Sequence, residues 1–203
     1  MRGLARHMKH LLPCLLWLPL TVLGGAQKYE PLADSVRTRL SKLVSEKAVP
    51  AMHFRSTGDA QRWLNEMDAR LERRIPDRKL RLELLRTVHY EALRARLDPQ
   101  LVLGVIEVES AFRKYAVSKS GARGYMQVMP FWIKLIGQSN SNLFHLRSNL
   151  AFGCVILRHY LDEEHGDYFR ALGRYNGSLG QKAYPNLVLS AWRGRWKYDG
   201  PNA

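Results

Sequence analysis

Residues 97–112 read Leu97-Asp98-Pro99-Gln100-Leu101-Val102-Leu103-Gly104-Val105-Ile106-Glu107-Val108-Glu109-Ser110-Ala111-Phe112. Asp98 is a good N-cap, and Pro99 suits the first helical turn, where a missing N–H costs nothing. Leu101, Val102, Val105, Ile106 and Val108 predict a largely buried helix running from 99 to about 111. Glu109 falls at its C-terminal end. The helix dipole disfavours a negative charge there, and apolar neighbours disfavour it further. Both effects favour a carboxyl that keeps its proton near neutral pH, the state a general acid needs. Glu107 is the rival acid. It lies two residues away, about 200° around the helix, so it faces the other way and reads as a solvated or paired carboxylate.

The flanks are helical too. Leu32, Val36, Leu40 and Leu43 predict a helix over residues 29 to about 49, ended by Pro50. Thr57-Gly58-Asp59 opens a second, with Trp63, Leu64, Met67 and Leu71 on one side and Pro76 as its stop. A third spans about 77–97. Leu80, Leu84, Leu85, Val88, Ala92 and Leu93 are its apolar stripe, and the intervening Arg, Lys and Glu are its wet face. Beyond the central helix, residues 113–123 lack periodicity and read as a loop. Met129-Pro130 opens a short helix through Trp132, Ile133 and Ile136, and a polar turn covers 139–142. Ser148 or Asn149 is the expected cap of a long helix ending at Gly166, with Cys154 as a small core residue inside it. A helical turn over 168–174 and a last helix over about 185–196 complete the chain. No alternating strand pattern exceeds a few residues. The expected fold class is all-α: a catalytic helical domain over 98–198, a helical extension over 27–97 and a tail over 199–203.

The 203 residues carry 46% hydrophobic side chains, enough for a sizeable core, and a formal net charge of +14, which favours anionic partners. Arg2, Arg6 and Lys9 precede an apolar run over 11–23, followed by Gly24-Gly25-Ala26. This is the pattern of a Sec signal peptide, residues 1–26, cut after Ala26, which places the mature protein in the periplasm or cell envelope. Membrane contact is then expected only through the signal segment if it stays uncleaved. Removing the leader takes away three positive charges, leaving +11, and takes Cys14 with it, so Cys154 has no intramolecular disulfide partner. Export weighs against a nucleic-acid partner. His159 and His165 are six apart, off the spacing of a helical zinc pair, so no metal and no cofactor is expected, and both read as surface histidines. A monomer is expected.

Three motifs in order carry a resemblance: Glu109-Ser110, Gly124-Tyr125-Met126-Gln127 and Arg174-Tyr175-Asn176. The connecting Ala116-Val117-Ser118 and Gly121-Ala122-Arg123, with Asn149, Ala151 and Gly153 further on, fit the same pattern. The stretch over about 98–198 resembles the catalytic core of the soluble lytic transglycosylases, relatives of goose-type lysozyme. Two residues depart from that pattern: Tyr125 replaces the usual Leu and Arg174 the usual Ala.

The resemblance implies a lysozyme-like fold and cleavage of the β-1,4 bond between N-acetylmuramic acid and N-acetylglucosamine in peptidoglycan, leaving 1,6-anhydro ends. Glu109 would act first as acid and then as base. Ser110, Tyr125, Met126, Gln127, Tyr175 and Asn176 would bind substrate, with Tyr175 donating its phenol to Glu109 or to the sugar. Glycan strands are the expected partner, with other envelope proteins as further candidates. The residues themselves agree with a one-carboxylate scheme, because no Asp or Glu occurs between Ser110 and Leu161, whereas ordinary glycoside hydrolysis uses two. A lysozyme-like hydrolase and a non-catalytic peptidoglycan-binding scaffold are the alternatives.

Overall fold

The computed structural model describes residues 27–45, 52, 54–136 and 140–200. The signal-peptide reading, Cys14, the Pro50 stop, Ser139 and residues 201–203 lie outside the described residues. Every regular element among the described residues is a helix: α1 (Asp34–Ser45), α2 (Thr57–Leu71), α3 (Arg78–Arg94), α4 (Pro99–Ser110), α5 (Phe131–Ile136), α6 (Leu146–Glu163), α7 (Tyr168–Asn176) and α8 (Ala183–Arg193). The only strand-like pairings among them are isolated bridges between Val117 and Arg123 and between Arg123 and Val128. The fold is all-α, as expected.

The central helix α4 is buried along nearly its whole length, with Leu101, Val102, Leu103, Val105 and Ile106 at 0% exposure. Asp98 caps it: Oδ1 accepts from the Gln100 N–H at 2.7 Å, and Oδ2 accepts from Trp192 Nε1 at 3.0 Å. The second bond ties the start of α4 to α8. Gly104 lets these two helices approach closely, because a Cβ there would lie 3.3 Å from Trp192 N and from Val188 O. The helix ends at Ala111, in the left-handed region with φ 49°. Helix α3 packs on α2, α4 and α6, and α6 on α7, so one apolar core runs from Leu40 to Tyr198.

Several details differ from the sequence reading. Helix α1 is shorter at its start, and α8 ends at Arg193 rather than near 196. Leu80 belongs to the expected stripe of α3 yet is 50% exposed, whereas Arg81 and Glu91, assigned to the wet face, are buried. Arg81 reaches Asp68 on α2 at 2.6 Å, and Glu91 is held by Arg94 at 2.7 Å and Arg147 at 3.3 Å. A buried charge is tolerated when such partners satisfy it, and those partners come from other turns and other helices. His159 is likewise buried rather than at the surface, its ring 6.4 Å from that of Trp132, and burial pushes its pKa down. Helix α6 starts at Leu146, and its N-cap residue His145 makes no side-chain cap bond. Asn149 lies one turn inside it and serves the loop instead. Cys154 is fully buried and free.

Candidate active site

Glu109 occupies the last turn of α4 and is only 3% exposed. Tyr184 Oη donates to its Oε1 at 2.7 Å. Asn176, at the end of α7, is also hydrogen-bonded to the carboxyl. Burial pushes the Glu109 pKa up to about 8, with the bonds from Tyr184 and Asn176 pulling the other way. No second carboxylate contributes to that shift. Glu107, on the opposite side of α4, is held by Arg74 at 2.9 Å, by Arg195 and by Trp196 Nε1 at 2.6 Å. It is a structural carboxylate that fastens the C-terminal segment to α4.

The Gly124-Tyr125-Met126-Gln127 turn is fixed from beneath. Gly124 has φ 76°, and a Cβ there would lie 2.5 Å from Leu143 O. Asn149 Oδ1 accepts from the Met126 N–H, and its Nδ2 donates to Arg123 O and Leu143 O, each at 2.8 Å. Tyr175 Oη donates to Met126 O at 2.7 Å. Tyr175 therefore braces the turn and does not donate to Glu109; that bond comes from Tyr184. Gln27 adds a further tie, with Oε1 accepting from the Met129 N–H at 3.2 Å and its side chain reaching Tyr175.

Gln127 sits in the left-handed region with φ 48°. Its Nε2 donates to Ala116 O at 3.1 Å and Gly124 O at 2.9 Å, while its Oε1 is buried without a partner. An unpaired buried acceptor is costly, and it suits an incoming N–H or hydroxyl. Met126 is fully buried over Gly153, so it packs as core. Ser110 is fully buried too, and its Oγ donates to Ile106 O at 3.1 Å within α4. Tyr125 is 8% exposed, and burial together with the nearby charge of Glu83 pushes its phenol up.

The structure thus brings Glu109, Asn176 and Tyr184 into direct contact, with Tyr175 and Met126 packed behind them. Tyr184 was missed from sequence because it falls just before the helix expected over about 185–196, whereas α8 starts at Ala183 and brings it inside. Its signal is chemical rather than periodic, since a buried phenol needs a hydrogen-bond acceptor. Among the described residues, no three His, Cys, Asp or Glu side chains cluster where a metal ion would be held.

Comparison with known proteins agrees with this architecture. A protein from Enterobacteria phage PRD1 named "Transglycosylase" is 34% identical over 115 residues, 53% of this chain and 42% of its own length. The "Membrane-bound lytic murein transglycosylase C" of Actinobacillus pleuropneumoniae is 50% identical over 48 residues, 24% of this chain and 13% of that protein. Its namesake in Glaesserella parasuis is 39% identical over 66 residues, 32% of this chain and 15% of that protein. The chain therefore spans less than half the length of these curated relatives. The model of the transglycosylase SLT domain matches residues 86–186, from within α3 to the first turn of α8, a range that takes in Glu109, Gln127, Asn176 and Tyr184. Through that domain, which makes up about half of its length, this chain belongs to the transglycosylase SLT family.

Proposed function

We propose that this protein is an exported peptidoglycan lytic transglycosylase that uses Glu109 alone as acid and then base. The carrying observation is a buried carboxyl whose proton is retained up to about pH 8, with no second carboxylate acting on it. Protonated Glu109 donates to the glycosidic oxygen between N-acetylmuramic acid and N-acetylglucosamine. The C1–O bond breaks and the N-acetylglucosamine side departs with that proton. The substrate's own 2-acetamido group stabilises the electron-poor C1. Glu109, now a carboxylate, takes the proton of the C6 hydroxyl of the same muramoyl residue. The C6 oxygen closes on C1, giving a 1,6-anhydro end and returning Glu109 to its starting state. No water is consumed, which fits a carboxyl so withdrawn from solvent.

The remaining residues fall into supporting parts. Tyr184 and Asn176 stabilise the carboxylate formed after the first proton transfer. Gln127 presents a free acceptor to the substrate. Tyr175, Met126 and Ser110 hold the scaffold, and Tyr125 shapes the turn. In this reading residues 1–26 direct export, and the helices of 27–97 buttress the catalytic unit. The names of the relatives support a murein substrate.

Mass spectrometry of muropeptides released from purified sacculi tests the proposal. Anhydromuramoyl products are expected. Reducing ends alone would instead make the protein a lysozyme-like hydrolase, and no release at all would leave a peptidoglycan-binding scaffold.

A further inference from the structure

The loop that carries Gln127 also displays an aromatic patch that the chemistry above does not use. Tyr115 is 71% exposed and Val117 61%. The Tyr115 ring meets that of Phe144 at 5.9 Å between centroids, tilted by 48°. A cation lies over one face of each ring: Lys114 Nζ is 5.3 Å from the Tyr115 centroid, and the Arg123 guanidinium 6.0 Å from that of Phe144.

This patch is rigidly tied to the candidate site. Val117 pairs with Arg123, and Arg123 with Val128 through two backbone hydrogen bonds of 3.0 Å. Ala116, between Tyr115 and Val117, accepts from Gln127 Nε2 through its carbonyl. Tyr115 is thus one residue from the carbonyl that holds Gln127.

Two exposed apolar side chains, Tyr115 and Val117, thus stand two residues apart with the half-buried Phe144 against the first, and grouped apolar surface of this kind marks a candidate interaction site. Its chemistry here is particular. Flat rings accept the C–H faces of pyranose sugars, and cations held beside those rings accept carboxylates. A glycan strand bearing acidic peptides offers both along one polymer, and it complements the strong positive charge of this chain.

We propose that Tyr115, Val117 and Phe144, with Lys114 and Arg123 beside them, form a distal subsite for a carboxylate-bearing glycan strand, away from the bond that is cut. A sugar face lies against the open side of the exposed Tyr115 ring, and stem-peptide carboxylates meet the two cations. The proposal rests on the peptidoglycan reading above and extends it to strand length and stem peptide.

Co-sedimentation of the full chain with purified sacculi provides the test. Working in a Glu109→Gln background prevents digestion and makes the result independent of turnover. Tyr115→Ala is expected to weaken binding about tenfold, the effect of losing a well-placed aromatic anchor. The pair Lys114→Gln and Arg123→Gln is expected to weaken binding severalfold on intact sacculi and to leave it unchanged on sacculi stripped of stem peptides. Leu80→Ala on α3, equally a loss of exposed apolar surface, is the control and should bind as the parent does. Binding by Tyr115→Ala within twofold of the parent, or an equal loss in Leu80→Ala, overturns the subsite, as does a parent chain that fails to bind sacculi. If Tyr115→Ala loses binding while sacculi digestion yields only reducing ends, the subsite stands and the transglycosylase reading falls. If anhydromuramoyl products form and Tyr115→Ala binds like the parent, the subsite alone falls.

Discussion

Replacing Glu109 with glutamine should make the protein more stable at alkaline pH while abolishing its chemistry. The amide resembles a protonated carboxyl in shape and keeps an oxygen to accept from Tyr184. What it lacks is the proton equilibrium. Below the ordinary carboxyl value of 4.5, Glu109 is protonated in both the folded and the unfolded chain, and the folded state has its full advantage. Between 4.5 and about 8 only the folded chain keeps the proton, so unfolding releases it and stability falls as pH rises. At about 1.4 kcal/mol per unit, that interval costs the parent on the order of 4–5 kcal/mol, which Glu109→Gln should not lose. Guanidinium unfolding of both proteins from pH 5 to 9 measures the difference. Two curves that run parallel within about 1 kcal/mol would refute a proton-holding carboxyl at this position. In the same preparations, release of anhydromuropeptides should drop at least about a hundredfold, the usual scale for loss of a general acid.

Three further outcomes follow from the same geometry. Tyr184→Phe removes a bond that favours the carboxylate, so the Glu109 pKa rises and the alkaline limb of the kcat/KM profile moves to higher pH; a shift downward would contradict the role given to this phenol. Asn149→Ala leaves Met126 N and Leu143 O without their partner, while Arg123 O keeps the Val128 N–H, which should cost about 3 kcal/mol in denaturant unfolding; a loss below about 0.5 kcal/mol would show that the turn is held otherwise. Gly153→Ala puts a methyl 2.7 Å from Met126 Cβ, so the overpacking cost of about 1–3 kcal/mol should outweigh the roughly 1 kcal/mol helix gain of Ala over Gly. A net increase in the unfolding midpoint would count against that packing.

The one-dimensional pattern of the chain determined a good deal. Asp98, Pro99 and the apolar run behind them set helix α4, because capping and helical periodicity act within a few residues. The same locality placed Glu109 at the end of α4 and turned Glu107 to the other side. The order of the Glu-Ser, Gly-Tyr-Met-Gln and Tyr-Asn motifs was enough to point to the family. Long-range partners are another matter, since helical spacing says which face is apolar but not which side chain on a distant helix will meet it. Only the packed structure took the Glu109 bond from Tyr175 and gave it to Tyr184, 75 residues away along the chain. Only packing moved Asn149 from cap to clamp and drew Arg81 and Glu91 inside, where Asp68, Arg94 and Arg147 neutralise them. The position of the acid and the direction of its pKa shift were written locally, but the size of that shift was not, because desolvation comes from every element that closes over the carboxyl.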